Sequence, residues 1–187
     1  MKEISKLMDY RPDIKIVDAT LRDGGLVNSF RFTDEFVKDL YQTNIKAGVD
    51  VMEFGYKADK EMFDVKDFGK WKFCDDEDIR AVVGDNNTDL KIAVMADVGR
   101  CNYKQDIKPR NESPVDIIRV ATYLNQIPAA VDVIEDAAAK GYDVTCNIMA
   151  ISNAQDTDIK VALDILGKSP VNVFYIVDSF GALFPEQ

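Results

Sequence analysis

Histidine is absent from this chain of 187 residues. Its absence excludes a Ser-His-Asp or Cys-His nucleophile system and any metal site in which this chain supplies imidazole. Proton transfer near neutral pH would then depend on carboxylates, lysine, tyrosine, cysteine or a bound metal.

Positive charge, long apolar runs and cysteine are also scarce. The 23 Lys and Arg against 33 Asp and Glu give a net charge of −10, which repels phosphate backbones and anionic lipid. We therefore expect no nucleic-acid partner and no membrane partner. No apolar run reaches the roughly 18 residues of a membrane span, and the N-terminus lacks a signal-peptide core. The three cysteines match no metal-ligand spacing, so we predict reduced thiols in a cytoplasmic protein.

Short segments rich in Val, Ile, Phe and Met recur along the chain. Near-continuous apolar runs of this length predict strands that are covered on both faces, as in parallel sheets. Their starts lie about 31 residues apart on average, which favours successive βα units over hairpins. The six predicted strands are residues 14–19, 49–56, 91–98, 115–123, 142–150 and 171–179.

Helices are predicted between several of these strands. The clearest runs from Thr33 to Ala47, ends at Gly48, and has Phe36, Leu40 and Ile45 on one side. The others are residues 128–140, residues 159–166 and a short helix that follows the acidic cluster 75–78.

Several conspicuous features have ordinary structural interpretations. The acidic cluster 75–78 is interpreted as a helix start rather than a cation site. Residues 57–74 are predicted to be an inserted loop whose Trp71 and Phe73 cover the rim of the sheet, and the connection 99–114 has little helical periodicity. Cys146, inside an apolar strand, is interpreted as a core residue.

The spacing alone leaves two folds open. Eight units of about 31 residues come to roughly 250, the usual size of a (β/α)8 barrel, and this chain supplies six. An open doubly wound sheet, in contrast, is complete with five or six strands.

The candidate site lies where the first strand ends, in the run Asp18-Ala19-Thr20-Leu21-Arg22-Asp23-Gly24-Gly25. In both folds, functional residues collect at the carboxyl ends of the strands. Arg22 could bind a carboxylate or enolate oxygen, and Asp23 could bind a hard divalent cation. The residues alone favour a simpler interpretation, in which Arg22 pairs with Asp18 or Asp23 and the two glycines adopt positive φ in a turn.

The same run resembles the D-x-T-L-R-D-G signature of the DRE-TIM metallolyases. This HMG-CoA-lyase-like superfamily includes pyruvate carboxyltransferase-like enzymes, isopropylmalate synthase and 4-hydroxy-2-oxovalerate aldolase. Further matches are Glu53-Phe54-Gly55 in the second strand, Asn147-Ile148-Met149 in the fifth and Asp178-Ser179-Phe180-Gly181 after the sixth. The resemblance covers about residues 14–187 and implies an α/β fold of the TIM (β/α)8 type. The barrel would be incomplete, a single partial domain over residues 1–187 with six parallel strands present and strands seven and eight absent.

The resemblance also implies roles for five residues. Asp23 would bind a divalent metal, Mn²⁺ or Mg²⁺, and Arg22 would be the catalytic residue that stabilises a pyruvate-type enolate. Ser179 would help to bind the 2-oxo acid substrate, with Glu53 and Asn147 nearby at the rim. The residues alone also allow a salt bridge for Glu53 and a core hydrogen bond for Asn147.

The chain departs from the family pattern in two places. The family takes its other two metal ligands from a His-x-His on the seventh strand, so the metal site in this chain is incomplete. In the 4-hydroxy-2-oxovalerate aldolases the residue three positions after the metal-binding Asp is a catalytic His, whereas this chain has Leu26.

Two functions follow as hypotheses. The chain would be a fragment of a metal-dependent aldolase or lyase that makes or breaks a carbon–carbon bond next to a 2-oxo acid, and inactive alone. The alternative is a catalytically inactive aldolase-like binding or assembly module. In both cases a barrel that stops after six strands exposes strand edges and apolar surface, which predicts a homodimer through these edges.

Overall fold

The computed structural model describes residues 11–184 and residue 186. It contains one parallel sheet in the order β1-β2-β3-β4-β5-β6, in which each strand pairs with its neighbours in sequence. A doubly wound sheet reverses direction in its strand order, so the sequential order identifies a barrel. In the described part of the chain β1 and β6 do not pair, and the barrel is therefore incomplete, as predicted. The N-terminal residues without a signal-peptide core fall mostly outside the described residues. The strands are Val17–Asp18, Val51–Tyr56, Lys91–Asp97, Ile117–Thr122, Asp143–Ile148 and Val173–Ile176.

Helices follow most strands and cover the outer face of the sheet. Their positions confirm the predicted helices, and α4, a single turn, confirms that the connection 99–114 has almost no helix. Thr33 caps α2 by accepting a hydrogen bond from the Phe36 amide at 3.2 Å, and Gly48 ends it in the left-handed conformation. The helices are α1 (Thr20–Asn28), α2 (Asp34–Ala47), α3 (Asp76–Val83), α4 (Tyr103–Asp106), α5 (Ile127–Ala139) and α6 (Asp156–Leu166).

The side of α2 predicted from the sequence is confirmed in part. Leu40 and Ile45 are partly buried against the core, whereas Phe36 is 44% exposed. The fully buried residues of the helix are Val37, Tyr41 and Asn44. Tyr41 and Asn44 each satisfy a polar group inside the fold. The Tyr41 hydroxyl donates to Asn86 at 2.7 Å, and the Asn44 amide donates to Asp18 at 2.8 Å.

The interpretation of the glycine pair as a turn is also wrong. Residues 20–28 form the helix α1, and neither Gly24 nor Gly25 has positive φ. Gly25 is required for a different reason, because a Cβ at this position would lie 2.2 Å from the Phe30 ring. The glycine thus lets the chain after α1 fold back closely against the helix.

The inserted loop 57–74 packs tightly onto the sheet. Its Trp71 is fully buried, with its ring centroid 5.4 Å from that of Phe54 on β2. At Gly55 a Cβ would lie 1.9 Å from the Trp71 carbonyl oxygen, so only glycine allows this approach. Trp71 therefore belongs to the core rather than to a cover over the rim.

Candidate functional site

Side chains alternate along the strands, and one face of the sheet carries polar residues. The outer face is apolar and buried under the helices, as at Phe54, Val120 and Cys146. The inner face carries Glu53 on β2 and Arg119 on β4, which are 0% and 6% exposed. Charged side chains this deeply buried require partners, since an unpaired charge is costly inside a protein.

Arg22 projects from α1 towards this inner face. Its Nε donates to Glu53 Oε2 at 2.8 Å, and its Nη1 donates to Asp23 Oδ1 at 2.8 Å. Burial opposes the charge of Arg22, but the attraction and hydrogen bond of Glu53 outweigh it, so the pKa of Arg22 is raised. Arg22 therefore stays positively charged at the rim of the barrel.

Glu53 forms the predicted salt bridge, and a second partner comes from a strand that the sequence did not single out. Its Oε2 also accepts a hydrogen bond from Arg119 Nη1 at 2.6 Å. Asn147 contacts this group only through Arg119, whose Nη2 lies 3.4 Å from Asn147 Oδ1. Arg119 was missed because one charged residue within the apolar run of β4 gives no motif. A buried charge on an inward-facing position is the signal that could have found it.

Asp23 is the exposed member of the group. Its side chain is 69% exposed, and within residues 11–184 it forms an ion pair with Arg22. Within the described part of the chain, no group of three His, Cys, Asp or Glu side chains could hold a metal ion. The residues present therefore do not make a complete site for a divalent cation, because a single carboxylate binds Mg²⁺ or Mn²⁺ weakly.

Ser179 lies apart from the ion pairs. It is exposed after β6, and its Oγ accepts a hydrogen bond from the Ala150 amide at 2.9 Å. The structure thus brings Arg22, Asp23 and Glu53 together, joins Asn147 to them through Arg119, and leaves Ser179 after the edge strand β6, in contact with the Ala150 amide.

A second group that the sequence did not reveal lies beside Arg22. The Lys72 ammonium sits 4.3 Å from the Phe63 ring centroid and 4.6 Å from that of Tyr56, with Phe30 and Phe68 at 5.2 and 5.5 Å. Burial lowers the pKa of Lys72, although nearby Asp97 opposes this. Burial also raises the pKa of Tyr56, against the effect of the Arg22 guanidinium.

The cysteines take no part in the site. Burial raises the pKa of Cys146 to about 12, and the side chain lies in the core as predicted. All three cysteines are free. Burial also raises the pKa of Cys74 and of Cys101, and a thiol that remains protonated is a poor nucleophile.

The fold and the site together define an incomplete TIM-type barrel with an arginine and a carboxylate at its carboxyl rim. No protein-family model matches the chain. It is 26% identical over 179 residues to 4-hydroxy-2-oxovalerate aldolase 6 of Rhodococcus jostii, which is 96% of this chain and 50% of that protein. It is also 25% identical over 177 residues to 4-hydroxy-2-oxovalerate aldolase of Pelotomaculum thermopropionicum, a match that covers 94% of this chain and 51% of that protein.

A solved structure agrees with these relatives. The N-terminal domain of a Bacteroides vulgatus protein described as an aldolase superposes with a TM-score of 0.68 and 25% identity, covering 92% of this chain and 57% of that one. The predicted resemblance is confirmed, and it is consistent with the DRE-TIM, pyruvate carboxyltransferase-like superfamily. The chain spans about half the length of the curated relatives it matches. In the described residues no helix is both long and apolar enough to cross a membrane.

Proposed function

We propose that this chain carries the 2-oxo acid site of an aldolase or lyase, in which Arg22 stabilises the enolate of a pyruvate-type substrate. The observation that carries the proposal is the Arg22 guanidinium, fixed by buried Glu53 beside the exposed carboxylate of Asp23. The names of the relatives support carbon–carbon bond cleavage or formation as the reaction class.

The chemistry follows from the two sides of Arg22. On the buried side Glu53 fixes the orientation of the guanidinium, so the positive charge is in place before a substrate arrives. On the open side the contact with Asp23 is largely exposed, and such ion pairs contribute little, about 0 to 1 kcal/mol. An oxyanion can therefore replace Asp23 at Nη1 and gain a charge-assisted hydrogen bond.

Asp23 is proposed as one ligand of a divalent cation, Mg²⁺ or Mn²⁺. Replacement of its contact with Arg22 by substrate would release the carboxylate for the metal. The remaining ligands would have to come from outside the described residues, since these offer no group of three. We propose that the chain is one partial barrel domain, that Ser179 and Asn147 assist substrate binding, and that its free thiols reflect a cytoplasmic location.

Oxalate, a planar dianion that resembles the pyruvate enolate, tests the role of Arg22. We expect Arg22→Gln to weaken oxalate binding about ten- to hundredfold, because a hydrogen bond to a charged group contributes about 1.5 to 3 kcal/mol. Calorimetric titration with Mg²⁺ present would measure this effect. Asp23→Asn should remove any difference between titrations with and without Mg²⁺.

The matched control is Arg31→Gln, which removes an arginine that donates to the Lys66 carbonyl oxygen rather than to Glu53. It should bind oxalate like the unaltered chain. Equal affinities for Arg22→Gln and Arg31→Gln would refute the proposed role of Arg22.

A second candidate function is an assembly module, favoured by the apolar outer side of β6. Phe174 and Ile176 are 42% and 59% exposed, whereas Cys146, the partner of Phe174 on β5, is fully buried under the helices. No helix of the described residues covers β6 as α5 covers β5. Exposed apolar surface of this kind marks interaction sites.

Self-association through this surface is the expected result. We expect sedimentation at micromolar concentration to give twice the monomer mass of 21.0 kDa. Phe174→Glu combined with Ile176→Lys should restore the monomer, whereas Phe36→Glu, on exposed α2, should leave the dimer intact. A monomer for the unaltered chain would contradict this candidate.

A further inference from the structure

Two guanidinium groups hold one buried carboxylate in the barrel interior. Arg22 and Arg119 both donate to Glu53 Oε2, at 2.8 and 2.6 Å. Arg22 lies at the rim with 18% of its side chain exposed, whereas the Arg119 side chain is 7% exposed. The two arginines thus make the same kind of hydrogen bond to Glu53 but differ in exposure to solvent. Arg22, the more exposed of the two, is therefore the one placed to contact a substrate.

The sheet register explains how Arg119 reaches Glu53 across a whole strand. Glu53 pairs with Ala93 on β3, and Arg119 on β4 pairs with Met95, two residues nearer the carboxyl end. The residue of β3 that faces the barrel interior beside Glu53 is therefore Ala93. Its small side chain leaves room for the Arg119 guanidinium to pass over β3 and meet the carboxylate.

The surroundings of Arg119 fix its position. Its guanidinium carbon lies 4.9 Å from the centroid of the Tyr175 ring on β6, and its Nη2 approaches Asn147 on β5. Strands β2, β4, β5 and β6 thereby converge on one cation. An apolar side chain would fill this space without the desolvation cost of a buried charge, so packing alone does not account for arginine here.

The charge balance shows what Arg119 does for Glu53. Buried Glu53 Oε1 has no hydrogen-bond partner among the described residues, so within them the carboxylate depends on the two contacts at Oε2. If Arg119 is absent, Arg22 at the rim is the remaining partner of Glu53 among the described residues, and both side chains gain freedom to turn. If Arg119 is present, its hydrogen bond from the barrel interior fixes the Glu53 carboxylate. Glu53 Oε2 is then a fixed acceptor for Arg22 Nε.

We infer that Arg119 is a positioning residue, which holds the Arg22 guanidinium in its binding orientation through Glu53. The benefit of this positioning for enolate binding rests on the proposed function. The positioning itself is a property of the ligand-free chain, and it can be measured without any substrate.

The direct readout is the Arg22 Nε–H signal in ¹⁵N-labelled protein, assigned by its loss in Arg22→Lys. Because this N–H donates to buried Glu53, we expect slow exchange with water in the unaltered chain. Arg119→Met should accelerate the exchange about tenfold or more, as expected when a charge-assisted hydrogen bond is loosened. Arg119→Lys, which keeps the charge but not the planar fork, should give an intermediate rate.

The control is Arg80→Gln on α3, whose guanidinium donates to the Glu112 carbonyl oxygen away from the barrel interior. It should leave the Arg22 signal unchanged. If Arg119→Met fails to fold, Arg119→Lys and Arg119→Gln carry the same comparison. Arg22 exchange that stays slow in the folded Arg119 variants would overturn the inference.

Oxalate titration of the same variants separates this inference from the proposed function. Weaker oxalate binding in the same order as faster Arg22 exchange supports both. Faster exchange in a chain that never binds oxalate would establish the positioning and reject the substrate. If the Arg22 Nε–H exchange stays slow in the Arg119 variants while oxalate binding still depends on Arg22, the positioning role of Arg119 is rejected and the proposed substrate site is kept.

Discussion

Replacing Glu53 by alanine should lower the free energy of unfolding by about 3 to 5 kcal/mol, the usual loss when one partner of a buried ion pair is removed. Glu53 is fully buried and is the shared acceptor for Arg22 and Arg119. Its removal leaves Arg119 charged inside the barrel with Asn147 as a weak partner at 3.4 Å. Urea denaturation followed by the fluorescence of buried Trp71 would measure the change.

The control for this variant is Glu61→Ala, which removes an exposed carboxylate from the inserted loop. We expect it to change the stability by no more than about 0.5 kcal/mol. If Glu53→Ala and Glu61→Ala proved equally stable, the buried charge group would have no structural role and the description of the barrel interior would be wrong.

Replacing Lys57 by methionine should destabilise the chain by a similar amount, about 3 to 5 kcal/mol. The Lys57 ammonium donates to Asp76 Oδ1 at 2.9 Å, and the two side chains are 5% and 1% exposed. Among the described residues, the Ser113 hydroxyl, at 3.1 Å, would be the remaining hydrogen-bond donor to Asp76. The remaining cation would be the Lys108 ammonium, which is half-exposed and lies 4.0 Å from Asp76 Oδ2, too far for a hydrogen bond.

Two further variants test the cause of this loss. Lys60→Met breaks a comparable but half-exposed pair with Asp75, and should cost about 1 kcal/mol or less. Lys57→Met combined with Asp76→Asn removes both charges, and should cost less than the sum of the two single changes. A Lys57→Met loss as small as that of Lys60→Met would contradict a buried ion pair.

The sequence predicts the sheet well because each strand carries its own signal. The six apolar segments all became strands, and their spacing agreed with the parallel connections. The choice of a barrel over a doubly wound sheet did not come from this spacing. It came from the Arg22-Asp23 run, which resembles a family signature, and the sequential strand order confirms it.

Features that depend on distant partners were not predictable in the same way. The pair Gly24-Gly25 suggested a turn, although both residues lie in the helix α1. Glycine is needed at position 25 because the Phe30 ring packs closely against it, and this contact cannot be read from the local sequence. The acidic cluster 75–78 did begin a helix as predicted, yet the pairing of Asp76 with Lys57 joins residues 19 apart in sequence. A sequence pattern reports local conformation, whereas these contacts arise from the tertiary packing of loops and helices against the sheet.

Within the site, the sequence predicted the residues at the rim of the barrel but not Arg119, which contacts them from the interior. Arg22, Asp23 and Glu53 lie together as the resemblance implied, and Glu53 also forms the salt bridge that its residue type suggested. Arg119 gave no signal, because one arginine in an apolar strand is explained only once its inward direction is known. Ser179 was grouped with Arg22 from the resemblance, whereas its contact in the structure is the Ala150 amide.

The most direct test of the account is to locate oxalate on the chain by its effect on ¹H–¹⁵N spectra. We predict that the amide signals of Arg22 and Asp23 and the Arg22 Nε–H signal move together on titration, and that in Arg22→Gln about ten- to hundredfold more oxalate is needed to move the Asp23 amide signal. Shifts confined to the cleft that Lys57, Lys60 and Lys108 line together with acidic side chains, unaffected by Arg22→Gln, would place anion binding elsewhere and contradict the proposed 2-oxo acid site.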